Sequence, residues 1–290
     1  MSEPDSKELK KKGFLKQKQP DLYSVRLRIV VGNIKPAQLR AVAEASERYG
    51  TGDVHITTRQ GIEIRNVPSG NIGQLAEMLA EADLQPGSCG PRVRNIVACG
   101  GNHYCQSGIT DSEDLGYAID KYFFGRDLPG KIKIAVSGCP NSCSTPQVND
   151  IGLVAKIKPE INDEKCDGCG ACVEVCYGGA ITIVDGKPKV DYKKCVYDGT
   201  CVQICPKDVW FGVPGYAMFV GGKVGKEPQL GQKLLDFIPE SDREGILNVI
   251  DRVIVFFGEH AKEKERLGTL INRLSIETFK RGVLEGTNYR

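Results

Sequence analysis

The chain has no long apolar stretch, no excess of charge of one sign and no nucleotide-binding glycine fingerprint. It lacks an apolar run of about 20 residues and starts with charged residues in place of a secretory leader, so we expect neither membrane insertion nor secretion. Its net charge of +2 gives no global field that would attract nucleic acid or anionic lipid. Gly221, Gly222 and Gly225 lack the strand and helix that flank a dinucleotide-binding loop. These absences favour a cytoplasmic protein that binds neither nucleic acid nor membrane.

Cysteine, by contrast, is abundant, with 12 in 290 residues. A chain of this length can bury enough core to fold without covalent staples. Cytoplasmic thiols are also kept reduced, so disulfides are not expected. We therefore predict metal or redox roles for the cysteines. Cys89 stands outside every cysteine cluster and is expected to be an unliganded thiol.

Hydrophobic periodicity predicts an α+β fold. In the first part of the chain it predicts strands over 22–31, 53–58 and 62–67 and helices over 36–49 and 69–82. Further on, cysteine loops follow short strands, and catalytic groups commonly lie in such loops. The elements predicted there are strands over 92–98, 131–136, 151–157 and 215–220, a helix over 112–124, and mostly helix over 228–285.

Between Lys158 and Phe211 the composition changes, because Cys, Gly, Pro and Asp become frequent and helical periodicity disappears. This segment opens with the C-x2-C-x2-C-x3-C run of bacterial ferredoxins, in which the fourth cysteine serves the neighbouring cluster. A second run follows, with Asp198 where another cysteine would stand. The two runs are Cys166, Cys169, Cys172 and Cys176, then Cys195, Cys201 and Cys205.

The crossed pattern predicts an inserted module with two iron-sulfur clusters. One 4Fe-4S cluster takes Cys166, Cys169, Cys172 and Cys205, and the other takes Cys176, Cys195 and Cys201. One iron of the second cluster is left for Asp198. A carboxylate is a harder ligand than a thiolate and suits iron less well, so this site is either an Asp-ligated 4Fe-4S or a 3Fe-4S centre. Structural zinc, which also uses C-x2-C pairs, is the alternative for the module.

Four other cysteines form two pairs, Cys99 with Cys105 and Cys139 with Cys143. Four thiolates from two loops can hold one cubane cluster, whereas buried free thiols are the alternative. The strings Ala-Cys99-Gly-Gly-Asn-His-Tyr-Cys105 and Ser-Gly-Cys139-Pro-Asn-Ser-Cys143 resemble the signature of the sirohaem-dependent nitrite and sulfite reductases. The resemblance extends to three further strings, His-Ile-Thr-Thr-Arg59-Gln60, Arg92-Val-Arg94-Asn95 and Leu-Pro-Gly-Lys131-Ile-Lys133.

The resemblance implies a set of site residues. In that family the four cysteines bind a 4Fe-4S cluster and the last, here Cys143, is shared with the sirohaem iron. Cationic residues line the distal face, where an oxyanion needs positively charged donors and proton delivery; here these are Arg59, Arg94, Lys131 and Lys133. Sirohaem carries eight carboxylates, for which Arg26, Arg28 and Asn141 are the expected further contacts. His55 and His103 are expected to be ordinary histidines and not haem ligands.

The resemblance also implies a domain organisation and an activity. The expected domains are a flexible basic tail over 1–20, a ferredoxin-like half-domain over 21–84, a sirohaem and 4Fe-4S domain over 85–157 and 212–290, and a ferredoxin insert over 158–211. Within the family, the anaerobic, dissimilatory-type sulfite reductases with a ferredoxin segment are the most similar.

The implied reaction is the six-electron reduction of sulfite to sulfide, with electrons relayed through the insert. Because no nucleotide fingerprint is visible, an external donor protein with ferredoxin, flavin or iron-sulfur centres is expected. Nitrite reduction to ammonia is one alternative, and a non-catalytic electron-transfer or sirohaem-carrying protein is another. Longer family members carry this unit twice, so a homo-oligomer or hetero-oligomer is expected.

Overall fold

The computed structural model describes residues 6–87 and 89–289. The first part of the chain forms a four-stranded antiparallel sheet in the order β1-β2-β4-β3. The side chains of Val25 and Ile64 from the sheet and of Leu75 and Leu79 from a helix are fully buried in its core. The elements are α1 (Ser6–Lys11), β1 (Phe14–Lys16), β2 (Leu22–Leu27), α2 (Pro36–Tyr49), β3 (Val54–Ile56), β4 (Ile62–Pro68) and α3 (Ile72–Glu81).

Within the flexible tail expected over 1–20, residues 6–16 form α1, a turn and β1, whereas residues 1–5 lie outside the described residues. Strand β1 pairs with β2, with Phe14 opposite Val25. Phe14 is only 4% exposed, and burial of an aromatic ring stabilises this segment against the conformational entropy that ordering it costs. Residues 14–16 therefore belong to the first sheet.

The second part of the chain is built on a five-stranded mixed sheet in the order β11-β10-β7-β6-β5. Strands β5, β6 and β7 are parallel to one another, whereas β7, β10 and β11 pair antiparallel. Its elements are β5 (Val97–Ala98), α4 (Gly101–Tyr104), α5 (Ser112–Phe123), β6 (Ile134–Ser137), β7 (Ile151–Ile161), α6 (Ala171–Glu174), β8 (Ile181–Val184), β9 (Lys187–Val190), α7 (Thr200–Ile204), β10 (Trp210–Val220), β11 (Gln232–Pro239), α8 (Arg243–His260), α9 (Leu267–Leu274) and α10 (Ile276–Leu284).

The helices and strands predicted from the sequence are confirmed where the local hydrophobic pattern is strong. The predicted helices over 36–49 and 112–124 are confirmed to within a residue. The region 228–285 is mostly helix as expected, since it contains α8, α9 and α10, but it also contains strand β11. Leu235 of this strand lies opposite Met218 of β10 and both are buried, so tertiary pairing outweighs the local pattern.

Strands β7 and β10 form a long antiparallel ladder that reaches beyond the rest of the sheet. Each strand has 11 residues, and Ile161 pairs with Trp210 at the outer end. The cysteine-rich segment, residues 162–209, leaves and rejoins the ladder at this end. It contains α6, α7 and the β8-β9 hairpin around a small core of its own. None of the helices in residues 6–87 and 89–289 has the length and apolar character that a bilayer span requires.

Candidate functional site

Two cysteine loops lie side by side because they follow neighbouring parallel strands. Cys99 comes directly after β5, and Cys139 comes two residues after β6. The carboxyl ends of adjacent parallel strands meet at one edge of a sheet, where open α/β sheets commonly bind ligands. The loops are bonded to each other, since the Gly138 N–H donates to Cys99 Sγ at 3.1 Å and the Ile109 N–H donates to the Gly138 carbonyl at 2.7 Å. The structure therefore brings the two cysteine loops into contact.

The close approach of these loops requires glycine at two positions. A Cβ added to Gly138 would lie 2.7 Å from the Cα of Gly101, and Gly101 itself has a φ of +56°. A side chain at either position would separate the loops or strain the backbone.

The four thiols differ in exposure. Cys139 is buried and Cys99 is half-buried, whereas Cys105 and Cys143 are exposed. Burial raises the pKa of Cys99, but hydrogen bonds from the Gly138 N–H and the Ser112 hydroxyl outweigh burial, so that its pKa is lowered. Hydrogen bonds to sulfur favour the thiolate that an iron-sulfur cluster requires.

A cationic pocket of about 200 Å³ lies between the two sheets. Arg59 donates to Asn149 Oδ1 at 2.6 Å and to the Asn95 carbonyl at 2.7 Å. Burial lowers the pKa of Arg59 to about 10, so the guanidinium stays charged at neutral pH. The pocket thus has a fixed positive charge in its wall. Four predicted site residues line it together, namely Arg26, Arg59, Arg94 and Lys133.

The pKa of Lys133 is shifted toward neutral pH. Burial, together with the positive charges of Arg59 and Lys131, lowers its pKa to about 8. Lys131 lies in an adjoining cavity of about 470 Å³, which shares Arg94 with the cationic pocket. Burial and the charge of Arg266 also lower the pKa of Lys131. A lysine with a pKa near 8 can release and regain a proton within the working pH range.

Two further residues of this region, Asp150 and Arg266, were missed from the sequence. Asp150 is completely buried and binds Arg266 through both carboxylate oxygens, at 2.9 and 3.1 Å. Asp150 also accepts the Lys133 N–H at 2.9 Å. Arg266 lies 116 positions from Asp150 along the chain, so no local motif could connect them.

Other predicted contacts lie elsewhere or on the rim. Arg26 pairs with Glu63 at 2.7 Å at the edge of the pocket. Arg28 does not line the pocket: it forms an ion pair with Asp120, and its guanidinium lies 3.8 Å from the Phe124 ring centre. Burial of Asp120 within the second part of the chain draws Arg28 there, since a buried carboxylate requires a partner. Asn141 is exposed beside the second cysteine pair, His55 is exposed, and His103 bonds to Asp111.

In residues 162–209 the structure groups the cysteines in two sets. The first set, Cys166, Cys169, Cys172 and Cys205, lines one small cavity together with Trp210. In the second set, burial and the nearby charges of Cys195 and Asp198 raise the pKa of Cys201 to about 12. Backbone N–H groups of Ala180 and Tyr197 point at sulfur, at 3.2 Å from Cys176 Sγ and 3.4 Å from Cys195 Sγ. The crossed ligand pattern expected from the sequence stays a prediction.

Asp198 has one oxygen engaged, since its Oδ1 accepts the Thr200 N–H at 3.2 Å. Across residues 6–87 and 89–289, no three His, Cys, Asp or Glu side chains converge as they would around a single metal ion. A cubane is a different kind of site, because each of its thiolates binds a separate iron.

Comparisons with known proteins agree with this architecture. Residues 15–82 match the nitrite/sulfite reductase ferredoxin-like half domain, and residues 89–289 match the nitrite and sulphite reductase 4Fe-4S domain. The chain is 37% identical over 279 residues to coenzyme F420-dependent sulfite reductase of Methanocaldococcus jannaschii, covering 94% of this chain and 44% of that protein. It therefore spans less than half of that relative.

Two other proteins are similar over most of the chain. One subunit of the anaerobic sulfite reductase of Salmonella typhimurium is 33% identical over 294 residues, with 91% of this chain and 83% of the relative covered. The crystal structure of dissimilatory sulfite reductase I shares the fold, with a TM-score of 0.72 at 21% identity, covering 93% of this chain and 70% of that one. The chain belongs to the nitrite and sulfite reductase family.

Proposed function

We propose that the chain catalyses the six-electron reduction of sulfite to sulfide at a sirohaem coupled to a 4Fe-4S cluster. The observation that carries the proposal is the cationic pocket: Arg59, Arg94 and Lys133 face one cavity beside the strands that end in the cysteine loops. Two relatives at 33% and 37% identity are named sulfite reductases. Nitrite reduction to ammonia is the second candidate, because the family includes nitrite reductases.

The donor set fits the two prosthetic groups. Cys99, Cys105, Cys139 and Cys143 would hold the 4Fe-4S cluster, and Cys143, which is exposed, would also bind the sirohaem iron. The many carboxylates of sirohaem suit the cationic pocket, where Arg26 lies on the rim. Arg94 and Lys133 of the pocket precede β5 and β6 along the chain, whereas Cys99 and Cys139 follow these strands. The four residues of β6 span about 13 Å.

When bound, these groups supply electrons to the substrate, whereas the protein residues bind the anion and deliver protons. Arg59 is held by Asn149 and the Asn95 carbonyl, so its charge faces the cavity in a fixed orientation. Reducing sulfite to hydrosulfide releases three waters and takes up seven protons for six electrons. Lys133 suits proton delivery because its pKa of about 8 leaves it mostly protonated at neutral pH, while it releases its proton more readily than an ordinary lysine.

We also propose that residues 162–209 form a ferredoxin module with two clusters that accepts electrons from an external ferredoxin, flavin or iron-sulfur protein. Its two cysteine sets lie at different positions along the length of β7. The second set contacts the ladder at Ile157, whose N–H donates to the Tyr197 carbonyl, and the Tyr197 ring stacks on Phe237 of β11 at 5.4 Å. The first set lies by Trp210, opposite Ile161.

The positions of the two sets along β7 favour electron transfer from the module toward Cys99, Cys105, Cys139 and Cys143. β6 ends opposite Val154, so the second set contacts β7 only three residues beyond the strand end that precedes Cys139. Apart from the bounds of the tail and the insert, the domain boundaries stated from the sequence are part of this proposal, as are the cytoplasmic location and the homo- or hetero-oligomeric assembly. The insert bounds become 162–209, since β7 and β10 continue into the predicted range.

Turnover measurements test the activity. Anaerobically purified chain with reduced methyl viologen should reduce sulfite faster than nitrite. A strong preference for nitrite would favour the second candidate. A chain with full sirohaem that reduces neither anion would be a non-catalytic carrier or electron-transfer protein.

Metal analysis tests the cofactors separately. We expect iron and acid-labile sulfide, together with the absorption bands of a reduced porphyrin. Zinc without sulfide would exclude the ferredoxin module, and a spectrum without porphyrin bands would exclude the sirohaem.

A further inference from the structure

Asp150 places a buried negative charge next to the lysine assigned to proton delivery. Its carboxylate is fully buried, and Oδ2 accepts both the Lys133 N–H at 2.9 Å and Arg266 Nη2 at 2.9 Å. Arg266 Nε donates to Oδ1 at 3.1 Å. One carboxylate thus fixes the backbone of Lys133 and the guanidinium of Arg266 at the same point. Such bidentate pairs have a well-defined geometry.

Charges from several elements face the Lys133 ammonium. Arg59 comes from the loop between β3 and β4, Lys131 precedes β6, and Arg266 lies between α8 and α9. All three disfavour the charged form of Lys133, whereas Asp150 favours it. Arg26, Arg94 and Cys89 complete the titratable groups of the pocket wall.

We propose that Asp150 and Arg266 are positioning residues that set the protonation of Lys133 in opposite directions. Asp150 holds the proton on the lysine, and Arg266 offsets part of that attraction by neutralising Asp150. The pair is largely excluded from water, since Arg266 has 15% side-chain exposure and Asp150 none, so solvent screens these charges weakly. The link to turnover rests on the proposed function, whereas the effect on Lys133 does not.

The opposite signs give a sharp test. In anaerobically purified full-length chain, the reactivity of the Lys133 amine toward an acylating reagent is followed against pH by mass spectrometry. Asp150→Asn should move the midpoint of Lys133 about half a pH unit lower, which is about a threefold rise in the reactive fraction at a given pH below the midpoint, and Arg266→Gln should move it by a similar amount upward. The basic limb of the pH profile of turnover should move with it.

The double variant serves as the control for correct folding. Asp150→Asn combined with Arg266→Gln replaces the ion pair by a neutral hydrogen-bonded pair and should return the midpoint close to that of the wild type. Arg273→Gln breaks the partly exposed Arg273–Glu265 pair in the same region and should leave the midpoint unchanged.

Midpoints that stay in place, or that move in the same direction in both single variants, would overturn the inference. If the amine midpoint moves as expected but sulfite is not reduced, the tuning of Lys133 stands and the proposed function fails. If sulfite is reduced but the midpoints do not move, the proposed function stands and the tuning of Lys133 by Asp150 and Arg266 fails.

Discussion

Replacing Lys133 by methionine should remove activity and stabilise the fold together. The half-buried ammonium has a pKa of about 8 compared with an ordinary 10.5, a difference worth about 3.4 kcal/mol. Partial exposure reduces this to about 1–2 kcal/mol. Because the folded state binds this proton less tightly than the unfolded chain, the destabilisation is complete below pH 8 and fades as the pH approaches 10.5.

Lys133→Met should therefore raise the melting temperature at pH 7 by about 2–8 °C, and the gain should shrink to about a quarter at pH 10. Turnover should fall at least about 100-fold, because a positioned acid is lost. Lys133→Arg keeps the positive charge but holds its proton too tightly, so substrate affinity should survive better than turnover.

The assay compares thermal unfolding and viologen-linked turnover of these variants under anaerobic conditions. Lys121→Met, at an exposed position of α5, is the matched control and should change neither measurement. A less stable Lys133→Met protein at pH 7, or a gain that does not depend on pH, would refute the electrostatic reasoning. Unchanged turnover would remove Lys133 from proton delivery.

Three further substitutions test separate parts of the site. Gly138→Ala places a Cβ 2.7 Å from the Cα of Gly101, so it should lower the free energy of unfolding by about 1–3 kcal/mol and the iron content. The control Gly70→Ala, whose Cβ meets nothing within 4 Å, should behave as the wild type. Equal behaviour of the two variants would contradict the packing argument. Arg59→Met should raise KM for sulfite, because the pocket loses a positive charge that is held in place by hydrogen bonds to Asn149 and the Asn95 carbonyl; an unchanged KM would exclude Arg59 from anion binding. Asp198→Cys should alter the electron paramagnetic resonance spectrum of the second insert cluster, and an unaltered spectrum would place Asp198 away from that cluster.

The sequence predicts those features of the site that depend on neighbours along the chain. The spacing of the cysteines indicates shared ligation because loop residues a few positions apart can reach one cluster. The helix over 36–49 has a proline at its start and regular apolar spacing, and it forms as predicted.

Features that depend on distant contacts are harder to predict. Asp150 and Arg266 meet only because α8 and α9 pack against the second sheet. Residues 6–16 are rich in lysine and resemble a solvated tail, yet burial of Phe14 orders them. Arg28 lies two positions from Arg26 and has the same chemistry, but Asp120 from the second part of the chain binds it.

The β7-β10 ladder also bears on how this protein could have gained its cysteine-rich segment. Ile161 and Trp210 are direct partners, so their Cα atoms are about 5 Å apart, and a two-residue hairpin turn could join them without moving either strand. A gene encoding the shorter protein could therefore have accepted a cassette at this turn in one step, with the parent sheet already complete.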